Sequence, residues 1–151
     1  MRPGKKGPAL VDTNVVIYAH DPSDQVKHPA ARQLLRRLSD EGRLSYSAQV
    51  LNEFCSRMMR ANRPPSLGPE EVRVILGDLR ATGEAYPVSA ETASQALDAV
   101  IAYGMSFWDA VLWATARENG VALIYTEDLP SMPEIEGVSY VNPFALEFGG
   151  S

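Results

Sequence analysis

Short apolar runs alternate along this chain with longer segments whose apolar residues recur at helical spacing, and that alternation admits few architectures. Ala9-Leu10-Val11, Leu44-Ser45-Tyr46, Val121 to Tyr125 and Val138 to Val141 read as strands, with Ala85-Tyr86-Pro87-Val88 as a short edge or irregular strand. Between them, one helical face carries Ala30, Leu34, Leu35 and Leu38, and a second carries Val50, Leu51, Phe54 and Met58. Val72, Ile75, Leu76 and Leu79 make a third, Ala93, Ala96, Leu97, Val100 and Ile101 a fourth, and Val111, Leu112 and Thr115 a fifth. Asn14 to Ala19 reads as one or two buried helical turns, and His20 to Lys27 as a loop. Pro29 falls in a first turn, where proline is favoured, and Ser47, Ser89 and Ser106 stand where they can cap. Gly42, Gly104 and Gly120 mark stops, and Pro64-Pro65 ends the helix that Ser47 opens. Strands alternating with helices of these lengths require right-handed crossovers, so the fold class is α/β, a three-layer α/β/α sandwich with a mainly parallel central sheet.

With 151 residues the chain has the length of one domain, expected over 9–148, with a flexible basic stretch at 1–8 and a flexible tail at 149–151. No apolar run approaches the ~20 residues that span a bilayer, and no apolar stretch precedes a small-residue cleavage site, which implies a cytoplasmic protein with no membrane partner. The single cysteine, Cys55, cannot form an internal disulfide and reads as core filler. A net charge of −5 argues against a broad polyanion-binding surface. It does leave a local basic run, Arg57, Arg60 and Arg63, suited either to a solvated helix end or to phosphate contact.

Four acids stand out by position. Asp12 follows the first strand and Asp128 the fourth, and in an open parallel sheet the carboxyl ends of the strands share the edge where ligands bind. Glu53 lies on the helix after the second strand, and Asp109 in the first turn of the helix that Ser106 begins. Each has a structural explanation of its own. Asp12 and Asp128 can cap, Ser106-x-x-Asp109 is close to a capping box, and Glu53 can pair with Arg57 for ~0.2–0.5 kcal/mol. None of these accounts for the acids lying together on elements whose ends the sheet brings to one edge. Converging carboxylates repel, which raises their pKa values and destabilises the fold unless a cation compensates. Oxygen donors without a Cys or His cluster favour Mg²⁺ or Mn²⁺ over Zn²⁺, and His20 and His28 lack ligand spacing. One or two such ions can generate hydroxide from water and stabilise charge on a phosphoryl oxygen, which suits phosphodiester hydrolysis.

Leu10-Val11-Asp12-Thr13-Asn14-Val15-Val16-Ile17-Tyr18, Glu53 on a mid-chain helix, Ser106-Phe107-Trp108-Asp109-Ala110 and Tyr125-Thr126-Glu127-Asp128-Leu129 together resemble the PIN-domain ribonucleases, particularly the VapC toxins of VapBC toxin–antitoxin pairs. The resemblance covers nearly the whole chain. It implies a metal-binding catalytic quartet at Asp12, Glu53, Asp109 and Asp128, with hydrogen-bond support from Thr13, Asn14 and Thr126, and it leaves open whether Glu127 adds a further acid. It also implies Mg²⁺- or Mn²⁺-dependent endonucleolytic cleavage of RNA, a homodimer, and a VapB-like antitoxin that inserts a segment near the active site. Within that frame Asp12 and Asp109 are expected as direct ligands, Arg57, Arg60 and Arg63 as guides for the RNA backbone, and Tyr18 or Trp108 as stacking surfaces.

Other readings compete. A phosphatase with an aspartyl nucleophile wants a second Asp two residues after the first, where this chain has Asn14, and a phosphorylated receiver wants a lysine after the last strand, whereas none follows Lys27. A non-catalytic binding module that keeps the acidic pocket is the remaining alternative. The apolar faces Leu34-Leu35-Leu38 and Val72-Ile75-Leu76-Leu79 are candidates for a dimer interface or, more commonly for such faces, for the core.

Overall fold

Ala9, Leu10 and Val11 are fully buried, and a strand covered on both faces needs parallel neighbours joined through crossover helices. The computed structural model describes residues 6–145; most of the expected basic extension and the whole of the expected 149–151 tail lie outside the described residues. Six strands, β1 (Ala9–Val11), β2 (Leu44–Ser47), β3 (Glu84–Tyr86), β4 (Leu123–Tyr125), β5 (Glu134–Ile135) and β6 (Val138–Val141), form one sheet in the order β3-β2-β1-β4-β6-β5. Every adjacent pair is parallel except β5 with β6. The helices are α1 (Thr13–Tyr18), α2 (Lys27–Asp40), α3 (Ala48–Met58), α4 (Pro69–Thr82), α5 (Ala90–Tyr103) and α6 (Phe107–Glu118). Among the described residues no single helix is long and apolar enough to cross a membrane.

Register fixes what meets at the sheet's carboxyl edge. Val11 lies opposite Tyr125, and Tyr125 opposite Val141, so Asp12, Thr126 and Asn142 leave the edge side by side. Serine caps then set the starts of three helices: Ser47 Oγ accepts from Val50 N at 3.0 Å, Ser89 Oγ from Thr92 N at 3.3 Å and Ser106 Oγ from Asp109 N at 3.4 Å.

Several details depart from the sequence reading. β5 is only two residues long, too short for a period, and exists because Glu136 (φ 48°) and Gly137 (φ 87°) make a tight left-handed turn back into β6. Glu136 is tied at that turn by Tyr103 Oη at 2.6 Å and Arg117 Nη1 at 3.1 Å. The helix that Ser47 opens stops at Met58, well before Pro64-Pro65, and Arg57 braces the following turn by donating to Arg63 O at 3.3 Å and Pro64 O at 3.0 Å. In α2 the buried positions are Ala31, Leu34 and Leu38, with Ala31 rather than Ala30 facing inward. The α2 and α4 faces offered as interface candidates are largely core, since Leu34, Leu38, Val72 and Leu79 are buried. The exposed apolar side chains lie elsewhere: Val74 is 66% exposed, Leu97 52% and Ile101 83%.

Gly83, after α4, is required by close approach. A Cβ there would stand 2.8 Å from Tyr46 Cε2, 3.0 Å from Leu44 Cγ and 3.2 Å from the Leu44 carbonyl. Gly83→Ala is therefore expected to cost ~1–3 kcal/mol, the usual penalty for overpacking, read as a lower urea midpoint at unchanged slope.

Candidate functional site

Asp12 is held by more hydrogen bonds than any other of the expected acids. It ends β1 and caps α1; its Oδ1 accepts from Thr13 N at 2.7 Å, its Oδ2 from Thr126 Oγ1 at 2.8 Å, and its own N–H donates to Tyr125 O at 2.9 Å. Burial raises its pKa above the ordinary carboxylate value, the hydrogen bonds from Thr126 and Thr13 oppose the rise, and the charges of Asp109 and Glu53 add to it. Those two charges reach Asp12 only because the fold brings the three acids near one another.

Asn14 secures the loop after β4. Its Nδ2 donates to Asp128 Oδ2 at 3.3 Å and Thr126 Oγ1 at 3.4 Å, and its Oδ1 accepts from Glu127 N at 3.3 Å. Thr126 Oγ1 also accepts from Asp128 N at 3.0 Å. Asp128 is thereby turned toward Asp12, while Glu127 turns the other way. Its carboxylate pairs with Lys27 Nζ and accepts from Tyr18 Oη at 3.3 Å. The Lys27 ammonium also lies 4.9 Å from the Tyr18 ring and 5.6 Å from that of Phe144. Tyr18, expected as a stacking surface, is already packed edge-on against Phe144. Trp108 stays 59% exposed beside Asp109. His20 and His28 hold the end of α1, with Nδ1 atoms 2.9 Å from Val16 O and 2.8 Å from Tyr18 O. Burial raises the Cys55 thiol above its usual range, away from the reactive thiolate.

Asp12, Glu53, Asp109 and Asp128 all line one cavity of about 270 Å³, together with Thr13, Asn14 and Trp108. A larger groove of about 690 Å³ adjoins it through Thr13, Asn14 and Glu53 and is walled by Arg57, Arg60 and Arg63. Glu53 does not close on Arg57, which is spent on the turn that follows α3. Burial and the neighbouring Arg63 and Arg60 guanidiniums lower the Arg57 pKa, as expected for like charges gathered on one wall.

Among the described residues, no group of three or more His, Cys, Asp or Glu side chains stands closely enough to hold a metal ion as it is. The donor chemistry nonetheless fits a hard cation: the cavity offers four carboxylates with neither His nor Cys, and the Thr13 hydroxyl at its wall is buried without a hydrogen-bond partner. Sequence reasoning missed Tyr140, whose hydroxyl is likewise buried without a partner and whose pKa is raised by burial and by the charges of Asp109 and Asp12. Its local sequence carries no signal, because only the register, with Tyr140 opposite Ile124, brings it to one residue short of the same sheet edge. Lys27 was also missed, and nothing in its local sequence points to Glu127 a hundred residues away.

Residues 9–130 match the PIN domain family, and the chain belongs to that family. Its fold is shared by the Mycobacterium tuberculosis VapC20 structure, described as a sarcin-ricin loop cleaving toxin (22% identity, TM-score 0.60, covering 80% of this chain and 89% of that one). A toxin–antitoxin complex from Klebsiella pneumoniae is 21% identical with TM-score 0.65 over 89% of this chain and 97% of the other. DNA-bound VapBC from Salmonella typhimurium is 17% identical with TM-score 0.65 over 91% and 99%. No curated protein matches the sequence.

Because the folded pKa of Asp12 is raised, its ionisation weakens the fold. That penalty is absent below the unfolded carboxylate value and grows as pH rises through the folded one. Asp12→Asn is expected to raise the urea midpoint at pH 7, and the gain should shrink toward pH 4. A difference between the two midpoints that stays the same from pH 4 to pH 7 would show that ionisation of Asp12 carries no such burden.

Proposed function

We propose that this chain is a Mg²⁺- or Mn²⁺-dependent endoribonuclease, the toxin of a VapBC-like toxin–antitoxin pair, with Asp12, Glu53, Asp109 and Asp128 as its metal-binding catalytic site. The observation that carries this reading is the gathering of four acids from four separate elements around one cavity that adjoins an arginine-walled groove. Family membership and the toxin structures of the same fold support it.

Asp12 and Asp109 are assigned as direct ligands, Glu53 as a ligand or as the group that orients the attacking water, and Asp128 as a ligand directly or through water. When bound, the ion lowers the pKa of that water and offsets charge on the phosphoryl oxygens. Thr126 and the Thr13 N–H fix the two Asp12 oxygens, and Asn14 fixes Asp128, so neither carboxylate has to be ordered at the moment of reaction. Glu53 and Asp109, whose carboxylates carry no such bonds among the described residues, are the acids that would close on a cation. Arg57, Arg60 and Arg63 border the path to Glu53, where they can neutralise backbone phosphates on an otherwise acidic protein. Exposed Trp108 can receive an unpaired base. A cognate antitoxin and a homodimer complete the reading, the first supported by the assemblies that share the fold.

The separation of the acids also favours a second reading, a non-catalytic metal- or RNA-binding module. Incubation of total and structured RNA with the purified protein in Mg²⁺ or Mn²⁺ separates the two. Metal-dependent cuts abolished by EDTA establish the nuclease; Mn²⁺ binding without cuts on any RNA establishes the module. Losing even an outer-shell partner typically costs 10–100-fold, so Asp12→Asn should lower cleavage by more than about 100-fold. Arg60→Ala and Arg63→Ala should each reduce the slope of log affinity against log salt by about 0.7 for every phosphate no longer neutralised on single-stranded RNA, with kcat little changed.

A further inference from the structure

The acid cavity and the arginine-walled groove meet in a neck, and Thr13, Asn14, Ile17, Gln49 and Glu53 line both sides of it. Most of these groups are committed. The Thr13 hydroxyl is buried, Ile17 has no polar side-chain atom, and the Asn14 amide holds Thr126, Glu127 and Asp128. Glu53 is an acid of the proposed metal site. Gln49 remains: it is half-buried on α3, one turn before Glu53, and its side-chain amide makes no hydrogen bond among the described residues. Residues four apart on a helix have Cβ atoms about 5–6 Å from each other, so the amide stands beside the acids without adding to their charge.

We propose that Gln49 is a specificity-determining residue that hydrogen-bonds the 2′-hydroxyl of the ribose joined to the scissile phosphate, and so favours RNA over DNA. The inference rests on the ribonuclease reading and adds to it the group that recognises the sugar. A strand whose scissile phosphate lies at the acids and whose further phosphates reach Arg60 and Arg63 has to run through the neck. What occupies the neck is then the sugar bonded to the scissile phosphate, because a ribose separates each phosphate of a strand from the next, while its base can turn to either side. A 2′-hydroxyl both donates and accepts, and a carboxamide offers an NH₂ donor and a carbonyl acceptor, so the pair can form in either direction. A deoxyribose presents only C–H at that position. The neutral amide suits the sugar, and the phosphates beyond it meet the arginines.

Binding of fluorescein-labelled oligouridine and oligodeoxyuridine to the full chain, followed by anisotropy in Ca²⁺, a hard ion that takes the same oxygen donors, tests the contact. Wild type should prefer the ribose strand. Gln49→Leu keeps much of the side chain's bulk but none of its hydrogen-bonding atoms. It should cut that preference about 3- to 10-fold, the range for one hydrogen bond, by weakening the ribose strand alone. Asn52→Leu, in the groove but outside the neck, should leave the preference unchanged. No preference in wild type would overturn the ribose contact, and so would a preference undiminished in Gln49→Leu, including one in which both affinities fall together. A changed base preference at mapped cuts with the sugar preference kept would also overturn it, by assigning Gln49 to a base. RNA cleavage in Mg²⁺ or Mn²⁺ in any of these cases leaves the ribonuclease reading intact. A Gln49-dependent ribose preference without cleavage of any RNA removes the ribonuclease reading and leaves the sugar contact in an RNA-binding module.

Discussion

The bond from Thr126 Oγ1 to Asp12 Oδ2, 2.8 Å long and spanning 114 residues, joins the two parts of the chain on which the site depends. It forms because β1 and β4 are adjacent and parallel, which places Asp12 and Thr126 at one step beyond the same edge. A carboxylate as buried as Asp12 survives only where donors meet both oxygens, and the α1 N-terminus and Thr126 are those donors. Fixing Thr126 in turn fixes Asp128, whose N–H it accepts, and Asn14 then closes the network from the α1 side. The sheet's register, the cap of a short helix and the orientation of two acids are thus a single connected arrangement.

Two neighbouring acids show how environment separates roles that sequence leaves equal. Glu127 and Asp128 leave β4 together, yet only Asp128 lines the cavity with the other acids. Glu127 is neutralised by Lys27, whose ammonium rests between the Tyr18 and Phe144 rings. That pair withdraws one negative charge from a region already crowded with them, and it ties the end of α1, the start of α2 and the segment after β6 into one contact.

Much of this was legible in the sequence. The strand ends before Asp12 and Asp128, the serine caps of α3, α5 and α6, and the helix bearing Glu53 follow from patterns that need only local information. What the pattern could not carry was non-local. A two-residue strand has no period, so β5 is visible only through its left-handed turn. The early end of α3 depends on Arg57 finding carbonyls beyond it. Leu97 and Ile101 continue the apolar stripe of α5, and only the packing of α5 against its neighbours decides that they face outward. Tyr140 was hidden for a related reason: a tyrosine in a strand reads as filler until the register shows which edge it approaches.

Glu136 has a mechanical role. From the tip of the β5–β6 turn it is bound to Tyr103 at the end of α5 and to Arg117 near the end of α6, the latter also donating to its carbonyl at 2.8 Å. Trp113 adds a third tie, from the middle of α6 to Ile135 O. The hairpin and the two helices are therefore tied together at three points, so that β5, a strand of only two residues, is held at the sheet's edge by side chains as much as by its own backbone pairing.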